Sequence, residues 1–293
     1  MKKAYYQHRF LKEVARLLSE AELKAGVTAR MVKIAYETSV PDKDDKGTTR
    51  VDYLQARNFH SEIKSKLIDA DKALESAEIA LKYVVGVNID QPLRLQDIPL
   101  DSMPIAPIES KGMKEAALER NADLKTLNLG IKFYDSRQRL AKKEYLPKIG
   151  IQGQYVGPED RFGVKNSWFV GIGLNMTLFD GFSTKAKVAQ SQIQLEKIKD
   201  QGILLEKAIS AQISALHKTL SGLTEKMEVL RGAIEETNER VNLAAEGYSA
   251  GLIEYEKLLS AQKTEIEMKL ARLQCLVFYH TMKSEIELLS GAM

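Results

Sequence analysis

The sequence predicts a mainly α fold, built from long antiparallel coiled-coil helical hairpins with one two-stranded β hairpin set among them. Three observations predict it. The 293 residues are 28% charged and 7% aromatic, and they are rich in Ala, Leu, Glu, Lys, Gln and Ser, the composition of long helices rather than of a compact α/β enzyme. From Ser183 to Gly247 there is no proline, and Ile209, Ile213, Leu216, Leu220, Leu223, Met227, Leu230, Ile234 and Val241 recur in a coiled-coil rhythm broken only by Thr237. Between Tyr145 and Phe182 that rhythm gives way to alternation of apolar with small or polar residues, the period of a strand.

Residues 1–86 read as a first helical hairpin. Its turn, Val40-Pro41-Asp42-Lys43-Asp44-Asp45-Lys46, is polar and expected in solvent. Residues 87–108 are a proline-rich connector with room for a short strand, and a helix over 109–146 delivers the chain to Pro147, a residue tolerated at a strand's first position.

The β hairpin is expected over 147–180. Its first segment puts Ile149, Ile151, Gly153 and Tyr155 on one face and Lys148, Gly150, Gln152 and Gln154 on the other. In its second, Trp168, Val170, Ile172, Leu174, Met176 and Leu178 oppose Gly171, Gly173, Asn175 and Thr177, with Phe169 and Phe179 as exceptions. Each run is about ten residues, the length of a tilted strand crossing a bilayer. A hairpin packed on a core alternates in the same way. The aromatics Tyr155, Trp168 and Phe179 near the strand ends fit a membrane-interface girdle or a protein core. A lone hairpin is marginal in water, so the missing strands must come from other subunits or from sequence outside this chain.

Residues 183–293 read as a long helical hairpin. Its first helix, of about 65 residues, would be on the order of 100 Å long, and Gly202, Gly222 and Gly232 within it each cost about 1 kcal/mol against alanine. After a turn at Ser249-Ala250-Gly251, Ile266, Leu270, Leu273 and Val277 supply a matching seam for an antiparallel partner. The two helical hairpins are copies of one design. Asp52-Tyr53-Leu54-Gln55-Ala56-Arg57 aligns with Lys257-Leu258-Leu259-Ser260-Ala261-Gln262, Gly86 falls on Gly291, Tyr36 pairs with Tyr248 and Gly47 with Gly251.

Several function classes are disfavoured. A net charge of +3, with acids and bases interspersed at helical spacing, reads as solvated helix faces and not as a nucleic-acid footprint. The single Cys275 forms no internal disulfide. No apolar run suits a transmembrane helix, and after Met1-Lys2-Lys3 the residues His8, Arg9, Lys12, Glu13 and Arg16 interrupt any signal-peptide core. His8, His60, His217 and His280 have no partners at metal-ligand spacing, and no nucleotide-binding or catalytic motif occurs. Neither catalysis, a metal nor a cofactor is expected.

These residues together resemble the TolC-type outer-membrane efflux proteins. The resemblance is carried by Tyr145-Leu146-Pro147 entering a strand, by Val170-Gly171-Ile172-Gly173-Leu174 leading to Leu178-Phe179-Asp180-Gly181, and by Tyr248-Ser249-Ala250-Gly251 followed by Leu258-Leu259-Ser260-Ala261-Gln262. It implies an α-barrel subunit with a transmembrane β-barrel hairpin, assembled as a homotrimer in the outer membrane with a periplasmic extension. It implies a passive export conduit that works with a periplasmic adaptor (membrane fusion) protein and an inner-membrane pump. Family members look like two tandem copies of one unit. Here 109–293 matches a whole copy and 1–86 an incomplete one that starts within its long helix near Ala4, as a truncated product would.

Position by position, the resemblance places Tyr36, Gly47, Asp52, Tyr248, Gly251 and Lys257 at the periplasmic tip that contacts the adaptor, and turns Ile149, Ile151, Tyr155, Trp168, Val170, Ile172, Leu174, Met176 and Leu178 toward outer-membrane lipid. Some members close the tip with an arginine and a ring of aspartates, but here Ile253, Lys257 and Ser260 stand in those places. Asp52 and Lys257, equivalent in the repeat, are expected to form an exposed ion pair within or between subunits. Two other readings are a soluble coiled-coil structural or interaction protein whose hairpin packs on its own helices, and a truncated channel fragment without function.

Overall fold

The structure, a computed structural model, describes residues 1–38, 47–105, 110–156 and 167–291. Six helices and two strands follow one another: α1 (Lys2–Thr38), α2 (Arg50–Val85), α3 (Ser110–Arg120), α4 (Ala122–Lys143), β1 (Lys148–Val156), β2 (Ser167–Asn175), α5 (Ser183–Ser249) and α6 (Tyr255–Leu289). The polar turn expected at 40–46 lies outside the described residues. Contacts divide the chain into two compact units, Met1–Met113 with Ile213–Met293, and Lys114–Gln212.

In the first unit the heptad positions become the core. Ile209 at its border, Ile213, Leu220, Met227, Leu230 and Val241 are all buried, and so is Thr237, whose hydroxyl donates to the Ala233 carbonyl at 2.6 Å and so needs no partner across the seam. Val241 and Ala244 of α5 pack with Tyr255, Leu258 and Ala261 of α6, while Leu220, Met227 and Leu230 pack with Cys275, Leu276 and Tyr279. Rising positions on α5 thus meet falling positions on α6, as an antiparallel pair requires. The first hairpin packs through small residues of α1: Ala21 and Ala25 cluster with Phe59 and Ile63 of α2, and Ala15 with Ala70. Cys275 is a buried free thiol that fills core volume.

The two hairpins match at their ends. α2 begins at Arg50 and α6 at Tyr255, the same alignment that sets Asp52 against Lys257, and each helix is followed by a left-handed glycine, Gly86 at φ 80° and Gly291 at φ 64°. At Gly86 the positive φ lets its N–H close the last turn of α2 onto the Lys82 carbonyl at 2.9 Å.

The connector is not a strand in its described part, 87–105. It contains one 3-10 turn at Leu100–Ser102 and is held by polar bonds to the helices. Arg9 on α1, only 1% exposed, donates to Asp97 Oδ1 at 2.8 Å and to the Ile98 carbonyl. Lys12 reaches the same carboxylate at 2.9 Å, Glu13 accepts from the Leu100 amide at 2.6 Å, and Arg272 of α6 pairs with Asp101 at 2.9 Å. Leu100 itself is fully buried in the α5–α6 core. A strand's backbone groups would need a neighbouring edge; here Arg9 and Glu13 of α1 meet the Ile98 carbonyl and the Leu100 amide instead.

In the second unit the helix expected over 109–146 is two helices. Asn121 breaks it, since its side-chain oxygen accepts from the amides of Asp123 (2.9 Å) and Leu124 (3.2 Å) and caps a new helix start. α4 then packs closely on the beginning of α5. A Cβ on Gly202 would lie 3.0 Å from Leu127 Cδ2, and one on Gly130 would lie 3.7 Å from Ile198 Cδ1, so glycines on both helices make room for the other's side chains. Gly222 differs, with open space around the place a Cβ would occupy. Gly222→Ala is therefore expected to raise stability by about 1 kcal/mol, and Gly202→Ala to give back less of that gain as Leu127 is displaced; urea unfolding followed by circular dichroism separates the two.

Candidate functional site: the β hairpin and the helix turns

β1 and β2 pair antiparallel, with Ile149 opposite Leu174, Ile151 opposite Ile172, Gly153 opposite Val170 and Tyr155 opposite Trp168. Directly opposed residues share a face, so one face carries Ile149, Ile151, Tyr155, Trp168, Val170, Ile172 and Leu174 together. All seven are exposed, Ile151 at 80% and Trp168 at 77%. Among the described residues the hairpin's apolar face has no cover from the helices of its own unit, contrary to the core-packed reading. The strands end earlier than the alternation suggested: β2 stops at Asn175, so Met176 and Leu178, both exposed, lie beyond the strand. Among the described residues the sheet has two strands only, which leaves the outer edge of each without a backbone partner.

The opposite face is small and polar, with Lys148, Gln152, Gln154 and Asn175 beside Gly150, Gly171 and Gly173. Phe169, an exception to the alternation, is accommodated there by its neighbour two residues on. A Cβ on Gly171 would overlap the Phe169 ring, so the glycine lets the ring lie flat along the strand.

The chain passes from β2 into α5 through a tight elbow. Asp180 Oδ2 accepts from the Thr184 amide at 2.7 Å and caps α5. Gly181 (φ 63°) and Phe182 (φ 68°) are both left-handed, which costs a non-glycine residue about 1–2 kcal/mol. The Phe182 ring packs edge-to-face on Phe179 with centroids 5.9 Å apart, and both rings are exposed. The Leu178-Phe179-Asp180-Gly181 run is thus a strand-to-helix joint.

At the other end of the long helices the two turns come together. Gly251, at φ 70°, closes the α5–α6 turn, where Leu252 N–H bonds back to the Gly247 carbonyl at 2.8 Å. Tyr248 packs edge-to-face on the buried Tyr255, and Tyr36 stacks on Tyr53 with centroids 6.0 Å apart. A bond between Thr48 Oγ1 and the Tyr248 hydroxyl, 3.1 Å, ties the first hairpin's turn to the second's. Burial raises the Tyr248 hydroxyl pKa, with Asp52 adding to the effect, while the Thr48 bond opposes it.

Of the residues expected at this end, Tyr36, Asp52, Tyr248 and Gly251 gather near the turns, Gly47 is half-buried beside them, and Lys257 stands exposed on the first turn of α6. The Asp52–Lys257 pair is not formed within the chain. Asp52 instead completes a capping box, its Oδ2 accepting from the Thr49 amide (2.8 Å) and hydroxyl (2.7 Å) while its own amide donates to Thr49 Oγ1 (3.2 Å). The Thr49-Arg50-Val51-Asp52 spacing carried that signal. Thr48, Tyr53 and Tyr255 were missed, because their roles depend on which helices meet.

Among the described residues no three His, Cys, Asp or Glu side chains converge as a metal site needs, and no helix is long and apolar enough to cross a membrane.

Residues 114–276 match the family described as outer membrane efflux protein. Outer membrane efflux protein BepC of Brucella suis is 30% identical over 134 residues, 41% of this chain and 29% of that protein. A solved membrane protein from Pseudomonas aeruginosa superposes with a TM-score of 0.84 at 15% identity, over 99% of this chain and 66% of its own. The open-state MtrE outer membrane channel of Neisseria gonorrhoeae superposes with a TM-score of 0.81 at 17% identity, over 99% of this chain and 64% of its own. This chain spans less than two thirds of the length of each of these relatives. The structural likenesses establish the fold, that of outer-membrane channels. Because the matched span is more than half of the chain, this protein belongs to the outer membrane efflux protein family.

Proposed function

We propose that the chain is an outer-membrane efflux channel subunit, a passive conduit for export with no chemical step of its own. The observation that carries this reading is the hairpin: two nine-residue strands with one apolar face wholly exposed, one small polar face, and two open edges. A closed barrel satisfies all three at once, since lipid covers the apolar face, water the polar face, and neighbouring strands the edges. Ile149, Ile151, Tyr155, Trp168, Val170, Ile172 and Leu174 then face lipid, with Met176 and Leu178 continuing the band below the strand.

The same reading makes the protein a homotrimer in the outer membrane with its helices in the periplasm, residues 1–86 and 109–293 carrying matching copies of a helical hairpin joined by 87–108. Tyr36, Gly47, Asp52, Tyr248, Gly251 and Lys257 form the periplasmic tip, which meets an adaptor protein that links the conduit to an inner-membrane pump. With Asp52 committed to its helix cap, Lys257 is an exposed charge open to a partner.

Reconstitution tests the reading. Purified in detergent, the protein should give stepwise conductance in a planar bilayer, and Trp168 fluorescence should be quenched by lipid-borne probes. A chain that is monomeric and fully soluble without detergent, with Trp168 untouched by such probes, would overturn it.

A further inference from the structure

We propose that the helix-proximal base of the hairpin is a binding surface for anionic phospholipid headgroups, a lysine collar beneath an aromatic belt. This rests on the membrane reading of the hairpin above. The collar is drawn from two elements that meet there. Lys142 and Lys143 end α4, and Lys185 and Lys187 lie in the first turns of α5; all four are exposed. Lys187 bonds to Glu144 at 3.0 Å, which fixes the end of α4 beside the start of α5. Asp180, the other acid at this level, is committed to the Thr184 amide. Among the described residues Lys142, Lys143 and Lys185 have no ion-pair partner, so the local charge is net positive.

Folding does not account for all of these charges. Lys142 and Lys143 suit the negative end of α4, but Lys185 sits at the positive end of α5, in a first turn without an acid, where the helix dipole disfavours it. Immediately on the strand side of the lysines stand Tyr145, Phe179 and Phe182, all exposed, and Phe182 is held there at the cost of a left-handed backbone. Rings at this depth suit the boundary between acyl chains and headgroups. The apolar face above them runs nine residues, roughly 30 Å along the strand, or about the apolar thickness once tilted. The lysines therefore fall where phosphates would lie, and lysine attracts phosphate as a compact charge without demanding one geometry.

The test is flotation of the full chain, reconstituted by detergent dilution, with vesicles of phosphatidylcholine alone or mixed with phosphatidylglycerol. Expected is stronger recovery with phosphatidylglycerol, a preference lost near 1 M salt, where the screening length is about 3 Å, and weakened about fivefold for each lysine replaced among Lys142→Gln, Lys143→Gln and Lys185→Gln. Glutamine keeps the exposed stems, and an unchanged circular dichroism spectrum verifies folding. Equal recovery with both vesicles, or a preference that survives all three substitutions, would overturn the collar while leaving the hairpin in the membrane. Recovery with neither vesicle would overturn both readings.

Discussion

Ile172→Arg is expected to abolish membrane insertion, whereas Gln152→Arg, one residue from Ile172's partner on the paired strand, is expected to be tolerated. Ile151 and Ile172 are directly opposed near mid-strand, and Ile172 is 79% exposed. An arginine at mid-depth on a lipid-facing strand costs about 2–4 kcal/mol. Gln152 is on the other face, opposite Gly171, where water and small side chains leave room for a charge. Flotation and bilayer conductance of the two variants check this. The pair is informative because the substitutions introduce the same side chain into the same hairpin and differ only in face. If both were tolerated, or both excluded, the face assignment on which the channel reading depends would be wrong.

Arg9→Ala is expected to release the connector from α1 and to destabilise the first unit by about 3 kcal/mol, from lost charge-assisted hydrogen bonds and the void left by a buried stem. Arg9 is among the largest fully buried side chains, while its partner Asp97 is exposed and is also held by Lys12. Hydrogen exchange at the Leu100 amide, which donates to Glu13 four residues after Arg9, reports the release directly. Acid should act on the same contact. Hydrogen bonds from Lys12 and then Arg9 hold the Asp97 carboxyl down at about 2, against an ordinary value of 3.8. A depressed carboxyl contributes its stability in full above its unfolded value and loses it as pH falls toward the folded one. The connector should thus stay protected above about pH 4 and loosen between there and about pH 2, and Asp97→Asn should remove that acid transition. Unchanged protection in Arg9→Ala would show that Leu100 burial alone seats the connector.

Elements with a strong period were readable from the residues. The α5 seam from Ile209 to Val241 and the alternation within β1 and β2 each repeat one simple spacing many times, and all but Thr237 and Phe169 vote for the same face. Boundaries were less readable where a single side chain decides them. Asn121 splits a helix because its amide oxygen competes for two backbone donors, and nothing in the surrounding periodicity announces it. The strand end at Asn175 was overrun because Met176 and Leu178 keep the alternation after pairing has stopped. At the helix turns Asp52 and Lys257 do not pair within the chain, because equivalence in a repeat gives two residues the same local role without bringing them together. Asp52 found its partner three residues away, in Thr49.

The sequence by itself determined the helices, the β hairpin, the internal repeat and the family, since all of these follow from spacing and short motifs along one chain. Only the tertiary structure decided that the connector is laid against α1 and α6 by Arg9, Glu13 and Arg272, that Thr48 reaches Tyr248, and that among the described residues of its own unit the hairpin's apolar face has no cover. The reason is physical: local order depends on neighbours a few residues apart, whereas these contacts join residues far apart in sequence, chosen by which helix faces pack and which polar groups packing leaves to be satisfied.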